Sequence, residues 1–308
     1  MFDLIIIGGG AAGLAAASYA LAKRLDALVI YEDLDGKAGT RQHITGQIGE
    51  EFLPGADAVR SFERYVTIRA GHTLRDQVVD ITKIGSIFQV HTKHHGMREG
   101  LSVIVATGAA PIRLDVPGAS ELLGQGLGYS ATTHSHLLAG KIAAVIGTSV
   151  RALRGAGELA RIATKVYLIA PDHPSVTTPL AAALRLRPNV ELLEGYEVCE
   201  VVGDLTVEAL LLAREDEIRR LRVDAAFIDL GLMPNSACVR KLVQTDPDGF
   251  IWVDERNATS VVGLFAAGDV TTSFGEQILI AIGDGARAAL SAYDYLLAHT
   301  AVPEVSAV

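Results

Sequence analysis

The sequence predicts an α/β protein whose buried parallel sheets are covered by helices. Near the N-terminus, an apolar run at residues 4–7 leads into a glycine cluster, an alanine-rich segment of helical length at residues 11–24, and a second apolar strand, ALVIY. This order is typical of a βαβ unit, because parallel strands are buried on both faces and therefore form continuous apolar runs. The pattern recurs at residues 141–170, where a strand, a glycine turn, a helix and a further strand follow one another. Two such units predict two parallel sheets.

Length and charge narrow the class of protein. The chain has 308 residues, which is long for one core, and we expect about two domains. Its formal net charge is −9, and no basic run is present. Because nucleic-acid binding is driven by clustered Lys and Arg, these numbers exclude a nucleic-acid-binding protein.

Location and redox chemistry are also indicated by composition. No apolar stretch approaches the roughly 18 residues that span a bilayer, and the chain opens directly into a strand without the features of a secretory signal. We therefore expect a cytoplasmic protein with no membrane partner. The two cysteines, Cys199 and Cys238, lie far apart and have no metal-ligand spacing, so no metal is expected. A predicted hairpin at residues 87–108 crowds His91, His94 and His95 at its turn, which we interpret as a solvated tip.

The first glycine cluster matches a dinucleotide-binding loop. Residues 8–13 read G-x-G-x-x-G between a strand and a helix, which is the context that makes this motif informative. Gly8 permits the tight turn, Gly10 lets a pyrophosphate approach the backbone, and Gly13 lets the helix pack closely on the strand. Glu32 follows nineteen residues after Gly13, at the end of the next strand, where a carboxylate can accept from ribose hydroxyls. The loop alone does not distinguish NAD from FAD.

Two later segments distinguish these cofactors. They are VIVATG at residues 103–108 and GLFAAGD at residues 263–269, the latter followed by the helix sequence GEQILIAIGDGARAA. These segments resemble the pyridine nucleotide-disulfide oxidoreductase superfamily, and within it the low-molecular-weight thioredoxin reductases. The resemblance continues through LDVPGASE, GKIAAVIG, RPNVELLEGYEV and LGLMPNS, and so covers most of the chain.

The resemblance implies two Rossmann-like three-layer nucleotide-binding domains, the second inserted in the first. An FAD-binding domain is expected at residues 1–115 and 246–308, and an NAD(P)H-binding-like domain at residues 116–245. Family members are commonly homodimers that pair through their FAD domains, so a homodimer is expected here too.

The implied cofactor is FAD. By the resemblance, Asp269 bonds its ribityl chain, and the backbone at Gln277 and Ile278 lies near the pyrimidine edge of its ring. The glycines of loop 36–40 still allow close approach to the ring, although the family's G-G-Q-L is altered there. The expected cofactor-binding residues are Gly8, Gly10, Ala12, Gly13, Glu32, Gly39, Thr107, Gly108, Gly268, Asp269, Gln277 and Ile278.

One departure from the family removes its sulfur chemistry. Thioredoxin reductases carry C-A-T-C-D where this chain has Ser130-Ala131-Thr132-Thr133-His134. Hydroxyl groups cannot form the mixed disulfide of thiol exchange, so no dithiol relay operates here. The expected catalytic residues are His134, as a proton donor because an imidazole can transfer protons near neutral pH, together with Ser130 and Thr133. The alternative is that all three side chains fill space beside the flavin or contact solvent.

A second departure affects the hydride donor's site. The family's second G-x-G-x-x-A loop is replaced by Gly147-Thr148-Ser149-Val150-Arg151-Ala152, which puts a side chain where a pyrophosphate approaches. The family's H-R-R cluster is replaced by Ala170-Pro171-Asp172, and Asp172 would repel a 2′-phosphate. Arg151 and Arg154 either hold another anion or lie on a surface helix.

These observations predict a FAD-containing, thioredoxin reductase-like oxidoreductase without a redox-active disulfide and without ordinary NADPH use. Electrons would arrive from a ferredoxin-like protein, a second flavin or a small molecule, and leave to an acceptor near Thr133 and His134. Two alternatives stay open. They are a ferredoxin-NADP reductase of the thioredoxin reductase-like type, which the altered second loop fits badly, and a non-catalytic flavin-binding protein.

Overall fold

The computed structural model describes residues 1–34, 36–38, 55–68, 72–171 and 178–299. These residues form two compact units: the second comprises residues 111–232, and the first comprises the described residues on either side, up to 110 and from 233. The domain limits predicted from the sequence, 115/116 and 245/246, lie further along the chain and stay a prediction. Gly39 and Asp172, both singled out in the sequence, lie outside the described residues.

The described elements alternate between strands and helices. The strands are β1 (Phe2–Gly9), β2 (Ala27–Leu34), β3 (Thr73–Arg75), β4 (Val78–Ile84), β5 (Ile87–Thr92), β6 (Gly96–Val105), β7 (Ala109–Pro111), β8 (Leu127–Gly128), β9 (Ile142–Ile146), β10 (Lys165–Ala170), β11 (Val190–Glu194), β12 (Glu197–Gly203), β13 (Val207–Arg214), β14 (Glu217–Arg222), β15 (Ala225–Ile228), β16 (Leu232–Pro234) and β17 (Leu264–Ala266). The helices are α1 (Ala11–Ala22), α2 (Ala56–Thr67), α3 (Ala131–His134), α4 (Val150–Leu159), α5 (Pro179–Arg185) and α6 (Ile278–His299).

The first unit is built on one large sheet in the order β3-β2-β1-β6-β5-β4, with β17 also pairing with β6. The pairs among β3, β2, β1, β6 and β17 are parallel, and β4, β5 and β6 pair antiparallel. Alternate residues of β1 pack on opposite faces: Leu4 and Ile6 join the cluster that includes α1 and α6, and Ile5 and Ile7 join the other face. The apolar run at residues 4–7 is therefore buried on both faces, as predicted.

Helices α1 and α6 pack backbone to backbone. A Cβ added to Gly285 of α6 would lie 2.0 Å from the carbonyl oxygen of Ala12. Only a residue without a side chain permits this approach. The alanine-rich sequence of α1 suits this contact for two reasons. Alanine favours the helical conformation, and its small side chain lets the neighbouring helix approach closely.

The second unit has three layers. Its parallel sheet has the order β11-β10-β9-β15-β8. Helices α4 and α5 contribute to the core on one face, and the antiparallel strands β12, β13 and β14 contribute to the core on the other. The predicted α/β class with two Rossmann-like domains is thus confirmed.

The histidine-rich turn between β5 and β6 is fixed by a buried carboxylate. The side chain of Asp76 accepts hydrogen bonds from the backbone N–H groups of His94 (3.0 Å) and His95 (2.9 Å) and lies 2.7 Å from His95 Nδ1. Burial raises the pKa of Asp76, but these bonds outweigh it and hold that pKa well below its usual range. Among the described residues, no group of three or more His, Cys, Asp or Glu is arranged to hold a metal. None of the described helices is long and apolar enough to span a bilayer.

Candidate functional site

The first glycine loop closes on one side and stays open on the other. Gly8 has a φ of +122°, and a Cβ there would lie 2.1 Å from the carbonyl oxygen of Ala106. A Cβ on Gly13 would lie 2.0 Å from the carbonyl oxygen of Gly8. A Cβ on Gly10, in contrast, would have its nearest neighbour, Gly36 Cα, at 4.0 Å. The open side lies at Gly10, where the sequence motif predicts that a pyrophosphate approaches the backbone.

The helix that follows this loop offers an anion site. Gly10 is the N-cap of α1, and no described side chain caps this end. The backbone N–H groups of the first turn thus face outward with the positive end of the helix dipole. Glu32 lies near the carboxyl end of the neighbouring strand β2 with its side chain exposed, and its backbone oxygen accepts from Arg75 Nε at 3.1 Å.

The turn after β17 joins the first loop. Gly268 has a φ of +73°, and a Cβ there would lie 3.0 Å from Ala12 Cβ. Two neighbouring side chains fix this turn: Thr271 Oγ1 donates to Gly268 O at 2.8 Å, and Asn257 Nδ2 donates to Ala266 O at 2.9 Å. The predicted Ala12 and Gly268 therefore lie together.

The segment after β6 lies at the same edge of the sheet. Thr107 Oγ1 donates to the backbone oxygen of Asn235 at 2.7 Å, and Asn235 Nδ2 donates back to Thr107 O at 2.9 Å. The N–H of Asn235 also bonds Gly108 O at 2.9 Å. Because β1, β6 and β17 are parallel neighbours, their carboxyl ends bring residues 8–13, 106–108 and 266–269 to one place. This is where ligands bind in open α/β sheets.

Asp269 makes an ion pair that the sequence analysis did not predict. Its partner is the ammonium group of Lys37, and the Asp269 side chain is only 15% exposed. Lys37 belongs to the altered loop 36–40, which lacks the family's glutamine and for which no other side-chain contact was expected. The described part of this loop, residues 36–38, is therefore tied to the turn that carries Asp269.

Asp284 is a second carboxylate at this turn that the sequence analysis passed over. It lies on α6, is 4% exposed, and its Oδ2 has no hydrogen-bond partner among the described atoms. Burial raises the pKa of Asp284, and Arg287, whose Nη1 is 3.4 Å from Oδ1, opposes the rise. Asp284 could have been identified in the sequence as a charged residue among the alanines and glycines on the buried face of α6.

The start of α6 carries Gln277 and Ile278. Gln277 immediately precedes the helix, and its carbonyl accepts from the Ala281 N–H at 2.9 Å. Ile278 is partly buried and packs on the cluster that α1 and α6 share. The described residues thus fit a dinucleotide cofactor: an open glycine cradle, an uncapped helix end and a buried carboxylate oxygen without a partner all face this edge of the first unit.

The second glycine loop is closed by the chain itself. Gly147 has a φ of +140°, and a Cβ there would lie 1.9 Å from Asp229 O. Ser149 is the N-cap of α4, where its Oγ accepts from the Ala152 N–H at 3.0 Å and donates to Asp229 Oδ1 at 3.3 Å. Arg151 Nε donates to the same oxygen at 2.7 Å, and Asp229 is 3% exposed. Arg151 therefore holds an internal carboxylate, which neither sequence interpretation of this residue included.

The segment that replaces the family's cysteines is a capped turn. Ser130 Oγ lies 2.8 Å from Thr133 Oγ1 and accepts from the Thr133 N–H at 3.3 Å, which caps α3. His134 is 3% exposed, its Nδ1 is 3.0 Å from Ser130 O, and its ring stacks on Phe227 at 6.3 Å between centroids. His134 is therefore a buried, packed side chain, and its role in proton transfer stays a prediction.

Neither cysteine replaces the lost pair. Cys199 is exposed, and its Sγ lies 3.3 Å from Leu211 O in the second unit. Cys238 is buried in the first unit, and burial raises the pKa of its thiol to about 11. A thiol with such a pKa is a poor nucleophile at neutral pH.

Comparison with known proteins settles the family. Residues 2–290 match the family model described as pyridine nucleotide-disulphide oxidoreductase. The chain belongs to this family. Its curated relatives include a component of the alkyl hydroperoxide reductase from Pseudomonas aeruginosa, which is 33% identical over 98% of this chain, and an NADH dehydrogenase from Bacillus subtilis, which is 31% identical over 96%. The chain spans only 60% and 59% of the length of these two relatives.

Solved structures agree with the family assignment. The thioredoxin reductase from Streptococcus pyogenes MGAS5005 is 27% identical, has a TM-score of 0.83, and is matched over 97% of this chain and 99% of its own. The resemblance stated from the sequence is therefore confirmed at the level of family and fold. The family supports an oxidoreductase of the flavoprotein type.

Proposed function

We propose that this chain is a FAD-dependent oxidoreductase that uses neither a redox-active disulfide of its own nor NADPH bound at its second glycine loop. The observation that carries the proposal is the contrast between the two loops. The first loop is open at Gly10, whereas the second has Ser149 on its helix end and the Asp229 carboxylate against Arg151. A pyrophosphate at the second loop would have to displace a buried ion pair, which is costly.

The first unit would hold FAD through residues of several segments. The loop from Gly8 to Gly13 and the N-terminus of α1 would bind the pyrophosphate, and Glu32 the adenosine ribose. Asp269 would bond the ribityl chain in place of, or beside, its ion pair with Lys37. When bound, FAD would accept electrons singly or in pairs, which the described side chains of this site cannot do. The other residues that we assign to the FAD site are Gly39, Thr107, Gly108, Gly268, Gln277 and Ile278.

The electron partners follow from what the chain lacks. With no C-x-x-C in the sequence and a closed second loop, we propose a ferredoxin-like protein or a small molecule as the donor. The electron acceptor would bind near Ser130 and Thr133, whose hydroxyl groups take the positions of the cysteines in thioredoxin reductases. His134 would stabilise that turn and would not transfer protons. By the family resemblance we also propose a cytoplasmic homodimer.

Reduction of the bound flavin tests this function. The full chain, loaded with FAD, is mixed under anaerobic conditions with NADPH, NADH, reduced ferredoxin or dithionite, and the flavin absorbance is followed. We expect bleaching by dithionite and reduced ferredoxin and none by NADPH or NADH within minutes. Bleaching by NADPH within seconds would instead show a ferredoxin-NADP reductase. A colourless protein that refuses FAD would overturn the proposal, and bound FAD that no mild donor can cycle would indicate a non-catalytic flavoprotein.

A further inference from the structure

The cavity beside the turn at residues 268–269 is small and is lined by both polar and apolar groups. It has a volume of about 20 Å³, enough for one water molecule. It lies wholly within the first unit, and apart from Phe250 its lining residues come from the turn, the loop before α6 and the first turns of α6. They include Gly268, Asp269, Ser273, Glu276, Ala281 and Asp284.

One oxygen of the Asp284 carboxyl group is buried without a hydrogen-bond partner among the described atoms. A buried polar atom without a partner destabilises the folded chain, and a charged one destabilises it more. Asp284 Oδ2 is such an atom, on a residue that is 4% exposed. The neighbouring positions Gly283 and Gly285 show that α6 is otherwise built from small residues at this point. An alanine at residue 284 would avoid this destabilisation, so the carboxyl group has another use.

Several charges face this carboxyl group. On its own helix, Arg287 lies 3.4 Å from Oδ1 and also donates to Asn257 Oδ1 at 3.2 Å. From the turn, the Gly268 N–H lowers the pKa of Asp284 and the Asp269 carboxylate raises it, while Asp269 is paired with Lys37. From the loop before α6, the Ser273 hydroxyl faces it and Glu276 lines the same cavity. Burial is the largest influence and favours the protonated form.

We propose that Asp284, with one water in the cavity that it lines, is the group that takes up a proton when the flavin site is reduced. This inference rests on the proposed FAD chemistry. Addition of two electrons and one proton to the oxidised ring makes the net charge of the site more negative by one. A second proton, which reaches Asp284 Oδ2 from solvent through the cavity water, converts the carboxylate to the acid and restores the charge. Asp284 thus acts as a proton-storing, positioning residue at the Gly268–Asp269 turn.

Two measurements on the FAD-loaded full chain test this proposal. The flavin is reduced at an electrode through a soluble mediator, which supplies the electrons without adding protons. Infrared difference spectra, reduced minus oxidised, should gain a protonated-carboxyl band in the wild type. The pH dependence of the midpoint potential should correspond to about two protons per two electrons near neutral pH. Asp284→Asn should lack the band and show about one proton per two electrons.

Matched variants keep the outcome decisive. Asp294→Asn removes an exposed carboxylate of the same helix, paired with Arg256, and should behave as wild type. Asp284→Glu should retain the band at a shifted position, which provides the test if Asp284→Asn folds poorly. A band and slope that persist in Asp284→Asn, or a wild type that takes up only one proton, would overturn the proposal. Failure of the wild type to bind FAD would instead overturn the proposed function.

Discussion

The two glycine loops share a backbone plan but differ in what fills the helix end. Each follows a buried parallel strand, each turns at a glycine of positive φ, and each begins a helix. In the first loop the N-cap is Gly10, and no described side chain caps α1. In the second the N-cap is Ser149, and the chain's own hydroxyl and carboxylate occupy the corresponding place. The same supersecondary unit can therefore leave its helix end open, as at Gly10, or fill it with the chain's own side chains, as at Ser149, Arg151 and Asp229.

The largest effect on FAD affinity is expected from making the first loop resemble the second. Gly10→Ser places a hydroxyl where it can cap α1 as Ser149 caps α4, and in the space a pyrophosphate needs. We expect FAD affinity to fall at least about a hundredfold, or roughly 2.7 kcal/mol, measured by flavin fluorescence titration. The melting temperature of the FAD-free protein should not fall, because the added Cβ meets nothing closer than 4.0 Å.

Gly13→Ala is the matched control for this experiment. Its Cβ would lie 2.0 Å from Gly8 O, so it should lower the free energy of unfolding itself, by about 1–3 kcal/mol. Equal FAD affinity in Gly10→Ser and wild type would show that the first loop does not hold the pyrophosphate.

The next effect concerns the internal anion of the second loop. Asp229→Ala leaves the Arg151 guanidinium without its carboxylate, and we expect a loss of about 3 kcal/mol in urea unfolding. This is the lower end of the range for buried pairs, because the Arg151 side chain is 23% exposed. The double variant Asp229→Ala with Arg151→Ala should recover part of the loss.

An exposed pair provides the control. Arg256→Ala breaks the contact with Asp294, whose side chain is 61% exposed, and should cost less than about 1 kcal/mol. If Asp229→Ala is no worse than this control, the second loop is not held closed by its ion pair.

A smaller effect is expected at the turn that replaces the cysteines. His134→Gln removes a buried ring that stacks on Phe227 and bonds Ser130 O, so stability should fall by about 1–2 kcal/mol. The pH profile of flavin reoxidation should stay the same as that of the wild type. A shifted profile would restore His134 as a proton donor.

The smallest effect separates the two functions of Ser149. Ser149→Ala loses the cap of α4 and should cost about 1 kcal/mol in thermal unfolding, whereas Ser149→Gly should cost only a few tenths. Neither change alone should permit reduction by NADPH, since Asp229 and Arg151 remain. Rapid reduction of Ser149→Gly by NADPH would show that the hydroxyl alone closes the loop.

Local patterns predicted the fold class and both glycine loops. Each βαβ unit can be recognised from a short segment that contains an apolar run followed by glycines. The same segments predicted an open turn at Gly10 and a side chain in the turn at Ser149. What the patterns did not show is which strands are neighbours. Asp229 follows β15, and only the pairing of β15 with β9 brings it to the loop that contains Ser149 and Arg151.

The same limitation hid the charges of the first unit. Lys37 and Asp269 are far apart in sequence and meet only after β2 and β17 join one sheet. Asp284 was passed over because its helix reads as a small-residue packing helix, and burial of one carboxyl oxygen is a property of the folded chain alone.

The backbone contact between Gly285 and Ala12 also sets an order of assembly. Among the described residues, the second unit is one continuous segment, whereas the first needs α6, from the far end of the chain, to pack against its first helix. During synthesis the ribosome therefore releases all of residues 111–232 before the N-terminal strands can complete their core. We expect the early strands to wait, partly covered, until α6 has left the ribosome.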